Sequence, residues 1–275
     1  MEKQATRRNQ KGKPLIVLGF VSIAILFLIY ARLQNASVTP DAIPAIERLA
    51  LGFYIALLIS FGAISYGLYR YHTQKVLEKD GGILSTIAIS TYNPRSRKIF
   101  ALAFVSYGIF FSLTSGTLVY QPEVVFSEHY GATVPSAHIT PCCGDPGYMP
   151  KFIVYFTEHI GLQVIPINLL LQIIVSYLVG LNAALAVNAI SIAKKEGGLS
   201  SVGAATGLFI ACPTCVGTLL SIFISTSSVL AFTVVLTQLQ TLFIAITIPV
   251  LFFTPVIMAR KLRRPDGSCA VKPNE

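Results

Sequence analysis

Leu15-Ile16-Val17-Leu18-Gly19-Phe20-Val21-Ser22-Ile23-Ala24-Ile25-Leu26-Phe27-Leu28-Ile29-Tyr30-Ala31 runs for seventeen residues without a charged side chain. A helix of roughly 20 apolar residues crosses the hydrocarbon core of a bilayer. Lipid offers no hydrogen-bond partner to an open backbone, so the stretch predicts a transmembrane helix. Its basic approach (Lys3, Arg7, Arg8, Lys11, Lys13) also suits a signal peptide, but the apolar run is long for one. Tyr30-Ala31-Arg32-Leu33 offers no pair of small residues for cleavage, so an uncleaved anchor is expected.

Outward from this stretch, five more apolar runs cover residues 46–69, 99–120, 162–193, 200–224 and 229–259. They are continuous rather than alternating, which argues for helices and against a barrel. The whole chain of 275 residues agrees: 12% of side chains are charged, against about a quarter in a soluble domain. The mean hydropathy is +0.67.

The loops set the orientation. Eighteen of the 21 basic residues fall before the first run, after the second, after the fourth and in the tail. Only Arg32, Arg48 and Lys151 remain for the other side. Basic loops stay in the cytoplasm, and an even number of spans places both termini there too. The net charge of +9 is therefore a topology signal rather than a nucleic-acid footprint. The expected fold class is an all-α integral membrane protein of the cell (plasma) membrane. It has six transmembrane helices, cytoplasmic termini and one long extracytoplasmic loop between helices 3 and 4. A single polytopic domain, 1–275, is expected. Its non-spanning parts are a basic N-terminus (1–14), a cytoplasmic loop (70–98), a Cys/His loop (121–161) and a cytoplasmic tail (260–275). The short apolar piece 83–89 in the cytoplasmic loop is expected on the membrane surface.

Two cysteine pairs carry the functional expectation. Cys212-Pro213-Thr214-Cys215 sits inside the fifth run. Proline breaks a helix interior but is tolerated at a first helical position. A break at Ala211 with a half-helix starting at Cys212 is therefore expected. Backbone N–H groups at that start favour a thiolate, while low dielectric opposes one. Small residues Gly203, Gly207, Ala211 and Cys215 recur every four positions, which also fits a plain helix contact. The second pair, Cys142-Cys143, lies in the outer loop within Pro141-Cys142-Cys143-Gly144-Asp145-Pro146-Gly147, which reads as a tight turn. Cys269 reads as an ordinary reduced thiol of the tail, and His72 as a solvated loop residue.

The outer loop is acidic, with Glu123, Glu128, Asp145 and Glu158 against Lys151. Phe152, Tyr155, Phe156 and His159 fall at i, i+3, i+4 and i+7, which predicts one aromatic face of a helix in the headgroup layer. In the fourth run Asn168, Gln172 and Asn182 share one helical face. Intramembrane amides bond across helices, or such a face lines a quinone or ion pocket.

Three readings follow. In the first, Cys142-Cys143 exchanges with an extracytoplasmic thiol protein and hands electrons to Cys212 and Cys215, with a membrane quinone as acceptor. The order Cys-Pro-x-Cys resembles glutaredoxin active sites over those four residues. The two-pair logic resembles that of vitamin K epoxide reductase-type and bacterial disulfide-forming membrane oxidoreductases. In the second, His129, His138, Cys142, Cys143, Met149 and His159 bind copper, since thiolate, thioether and imidazole together suit that metal. The protein is then a transporter, an assembly factor or an accessory subunit of a membrane metalloenzyme. In the third, it is a complex subunit with a structural loop disulfide.

Overall fold

The computed structural model of the chain describes residues 12–33, 43–78, 82–141, 146–195 and 248–260. Four of its helices are long and apolar enough to cross a membrane: Gly12–Leu33, Pro44–Leu77, Pro94–Leu113 and Pro166–Asn188. The chain is a membrane protein by this measure, and side chains such as Leu18, Leu28, Leu58, Ile59 and Leu102 stay largely exposed, as lipid contact requires. The fifth expected span lies outside the described residues. Of the sixth, the helix Ile248–Arg260 is described.

In chain order the elements are α1 (Gly12–Leu33), α2 (Ile43–Glu78), α3 (Ile83–Tyr92), α4 (Pro94–Thr114), β1 (Leu118–Tyr120), α5 (Phe126–Tyr130), β2 (Ser136–Thr140), β3 (Lys151–Tyr155), β4 (Ile160–Val164) and α6 (Pro166–Lys195). The helix Ile248–Arg260 is α7. The chain forms two compact units, one of Met1–Gln74 with Ile109–Ile173, the other of Lys75–Gly108 with Ile174–Glu275.

In the first unit α1 and α2 form an antiparallel hairpin. Glycine at their contact lets the backbones close up. A Cβ on Gly67 would stand 2.9 Å from Ile16 Cγ1 and 3.0 Å from the Gly12 carbonyl, and one on Gly19 would stand 2.4 Å from Ile64 Cγ1. Ser60 donates to Ser22 at 3.1 Å. Further along, the Phe53 ring packs against Phe27 at 5.8 Å and Tyr30 at 5.1 Å. Ile23, Tyr30, Ala50, Phe53, Leu57, Ile64 and Met149 make one buried cluster.

The expected outer loop is in fact a folded antiparallel sheet of order β1-β4-β3-β2, so the fold is not all-α. The helix expected over Phe152, Tyr155, Phe156 and His159 is instead β3 and its hairpin turn. The i, i+3, i+4, i+7 match was coincidental: β-branched and aromatic residues with short bounding turns also suit a strand, and cross-strand pairing decided between them. Likewise 118–120, expected to end the third span, is a strand, and α6 starts at Pro166 because 160–164 pairs in the sheet.

Residues alternate across the strands, and the pairing register sorts them. Leu118 faces Leu162, Tyr120 faces Ile160, Phe152 faces Val164, Val154 faces Leu162, Ala137 faces Val154 and Ile139 faces Phe152. These apolar residues form one face. The other carries Ser136, His138, Thr140, Lys151, Ile153, Tyr155, Gly161 and Gln163. Short α5 covers part of that second face: Phe126, 1% exposed, packs its ring 5.2 Å from that of Tyr155. A Cβ on Gly161 would come within 3.4 Å of the Phe126 ring.

The second unit joins α3, α7 and parts of α4 and α6. The apolar piece expected at 83–89 is the helix α3, and it packs against protein. Ser85, Thr86, Ile87, Ala88 and Ser90 of α3 are buried, and Ile87 packs with Leu181, Leu185 and Ala259. Polar side chains make this docking specific. Asn188 on α6 donates to the Ser90 carbonyl at 2.8 Å, to Ser96 Oγ at 3.0 Å and to the Ala184 carbonyl at 3.0 Å. Val175, Leu178 and Leu251 form a further cluster.

Candidate functional site

All five cysteines, Cys142, Cys143, Cys212, Cys215 and Cys269, lie outside the described residues. The segments that flank the loop pair are described. Before it, β2 ends at Thr140, and the hydroxyl of Tyr30 on α1 donates to the carbonyl of Pro141, the residue joined to Cys142. After it, the Gly147 carbonyl accepts the N–H of Ile167 at the start of α6, 3.0 Å away. Gly147 has φ +87°, the left-handed region that glycine adopts without a Cβ clash. Met149 is buried in the α1–α2 cluster. Tyr54 on α2 then donates to the Pro150 carbonyl at 2.7 Å and to the Val164 carbonyl at 2.9 Å. Both flanks of the loop pair are thus fastened to helices of the first unit.

The histidines occupy separate settings. His138, exposed on β2, stacks obliquely on Tyr155 at 5.7 Å. His129 lies in the last turn of α5, edge-on to Tyr130 at 4.7 Å. His159 sits in the β3–β4 turn, where Nδ1 lies 3.2 Å from the Gln121 carbonyl and 3.0 Å from that of Val124. Both partners are acceptors, so Nδ1 carries a proton. The thioether of Met149 has apolar neighbours. Among the described residues no group of three or more His, Cys, Asp or Glu converges as a metal site.

The turn itself is a polar knot. Thr157 Oγ1 accepts the N–H of Ile160 at 3.0 Å, and the Glu158 carbonyl accepts that of Phe126 at 3.0 Å. The Glu158 carboxylate accepts the Ser127 N–H at 3.0 Å. That backbone bond, the Ser127 hydroxyl and the nearby His159 hold the Glu158 pKa below its ordinary value.

Two of the three span-four amides bond across helices. Gln172 Nε2 donates to Ser112 Oγ on α4 at 2.6 Å. Asn182 Nδ2 donates to the Leu178 carbonyl at 2.8 Å and to that of Leu251 on α7 at 3.0 Å. Asn168 is partly buried. Asn188, which the helical wheel sets off the face of the other three, connects α3, α4 and α6; an amide late in an apolar helix was the available signal. Ser90 Oγ, Ser176 Oγ and Asn182 Oδ1 are buried and meet no hydrogen-bond partner among the described residues.

Comparison of the chain with protein-family models, with curated proteins and with solved structures finds no match.

Proposed function

We propose that the protein is a membrane thiol–disulfide oxidoreductase that relays electrons from an extracytoplasmic thiol protein, through Cys142-Cys143, to Cys212 and Cys215. The reading includes six spans, cytoplasmic termini and residence in the cell membrane. A partner dithiol reduces the oxidised loop pair, giving it two electrons and two protons and becoming a disulfide. The reduced loop pair then attacks the Cys212–Cys215 disulfide through a thiolate, by way of a mixed disulfide. A membrane quinone accepts the two electrons and two protons as quinol and regenerates that disulfide.

The observation that supports this reading is the anchoring of the loop pair's flanks, by Tyr30 to Pro141 on one side and by burial of Met149 on the other. A pair that must meet both a partner and an intramembrane pair needs its ends held close to the helices.

Differential alkylation and mass spectrometry of the purified chain test it. The expected result is that Cys142, Cys143, Cys212 and Cys215 change redox state together, while Cys269 does not, and that Cys215→Ser or Cys212→Ser traps a mixed disulfide. Unchanging thiols in all variants would overturn the relay. Stoichiometric copper, lost in His138→Ala with Cys143→Ser, would replace it with the metal reading.

A further inference from the structure

The sheet is two-faced, and its apolar face is only partly covered. At the end near the helices, Phe152 packs edge-on to Tyr54 at 6.1 Å and Ile139 packs on the α1–α2 cluster. At the hairpin end the same face continues with Tyr120, Phe156 and Ile160. Tyr120 and Ile160 are register partners, and Phe156 lies opposite Ile160, whose carbonyl accepts its N–H at 3.0 Å. These three are 65%, 52% and 38% exposed. Three large apolar side chains in a row on an open sheet face need a cover.

We propose that this cover is lipid: the row Tyr120, Phe156 and Ile160 lies at the boundary between headgroups and acyl chains, so that the sheet rests with its apolar face on the membrane. Three observations select this occupant. The row is continuous with the face already seated on two helices long enough to span a membrane, and what surrounds such helices is lipid. Tyr120 follows the last residue of α4, Thr114, by six positions, which keeps it near the end of that span. Two carboxylates lie away from the row. Glu128, on α5, and Glu158, whose carboxylate bonds the start of α5, belong to the opposite side of the sheet, while the row itself carries no charge. Aromatic and branched side chains on one face with carboxylates on the other make an interfacial element. The carboxylates make zwitterionic headgroups the better fit than anionic ones, which they repel. The inference is independent of the thiol chemistry.

The sequence contains no Trp, so each Phe156→Trp, Tyr120→Trp or Glu128→Trp chain carries a single reporter. The full chains are placed in phosphatidylcholine vesicles with or without lipid brominated near the headgroup. The expected result is blue-shifted emission from Trp at 156 and 120, with intensity roughly halved by brominated lipid, and water-like, unquenched emission from Trp at 128. Water-like emission from 156 and 120 would overturn the proposal. So would blue-shifted emission that brominated lipid leaves unchanged, since that signals a protein cover such as a second copy.

Discussion

Tyr54 and Val164 stand 110 positions apart in sequence, yet the phenol of the one donates to the carbonyl of the other at 2.9 Å. The same hydroxyl bonds Pro150, so one side chain of α2 fastens the two strand ends at the base of the β3–β4 hairpin. Tyr54→Phe keeps the ring and removes the donor from both carbonyls. The expected cost is about 1–2 kcal/mol, read as a lower midpoint in thermal or denaturant unfolding. Limited proteolysis should cut residues 121–165 sooner in the variant. A variant as stable and as resistant as the parent would show that the sheet is held by packing alone.

The α1–α2 contact rests on glycine at Gly12, Gly19 and Gly67. At Gly67 the neighbours of an added Cβ include backbone, the Gly12 carbonyl at 3.0 Å, which has no rotamer with which to yield. Gly67→Val should force the helices apart and cost about 1–3 kcal/mol. By contrast, a Cβ at Gly52 meets nothing within 4 Å, so Gly52→Ala should be harmless. Melting of the two variants in the same detergent checks the contrast. Equal midpoints would remove close packing as the reason for Gly67.

Hydropathy made the long helices legible because an apolar run of this length has few other stable forms in lipid. The run 15–31 became Gly12–Leu33 and the run 46–69 became Ile43–Glu78, longer at both ends because polar residues continue a helix beyond the bilayer without penalty. The sheet was hidden because its strands are short and one of them, Lys151–Tyr155, also fits a helical period. Its alternation was nonetheless present. Ala137 and Ile139 stand between Ser136, His138 and Thr140, and Ile160, Leu162 and Val164 alternate with Gly161 and Gln163, a period of two. Of the candidate site, the amides Gln172 and Asn182 were legible as cross-helix donors. The scatter of His129, His138 and His159 over separate elements was not, because it depends on strand register rather than on spacing.

Asn188 holds α3 in place by donating to the Ser90 carbonyl and to Ser96 Oγ. Asn188→Ala strips both, leaving a buried carbonyl without its donor, at an expected cost of about 1–3 kcal/mol. The loss should be local: hydrogen exchange in 83–92 accelerates while α1 and the first half of α2 keep their protection. Asn188→Leu tests the donor itself, because it nearly keeps the size but has no N–H to give to a carbonyl. It should loosen α3 as Ala does. Unchanged exchange in both variants would show that α3 is held by Ile87 and its apolar neighbours.

Glu158 links the hairpin turn to α5 through the Ser127 N–H, and its pKa is depressed by that bond first and by the Ser127 hydroxyl and His159 after it. The sign follows from linkage. A carboxylate with a lowered folded-state pKa contributes its stability in full above the unfolded value, about 4.3 for Glu, and loses it as pH falls through the folded value. Exchange at the Ser127 amide, corrected for its intrinsic pH dependence, should therefore stay flat from neutral pH down to about 4.5 and accelerate below it. Glu158→Gln retains an acceptor oxygen but has no proton to take up, so its profile should remain level across the same range. An acid step that persists in Glu158→Gln would assign the titration to another group and leave the carboxylate a passive acceptor.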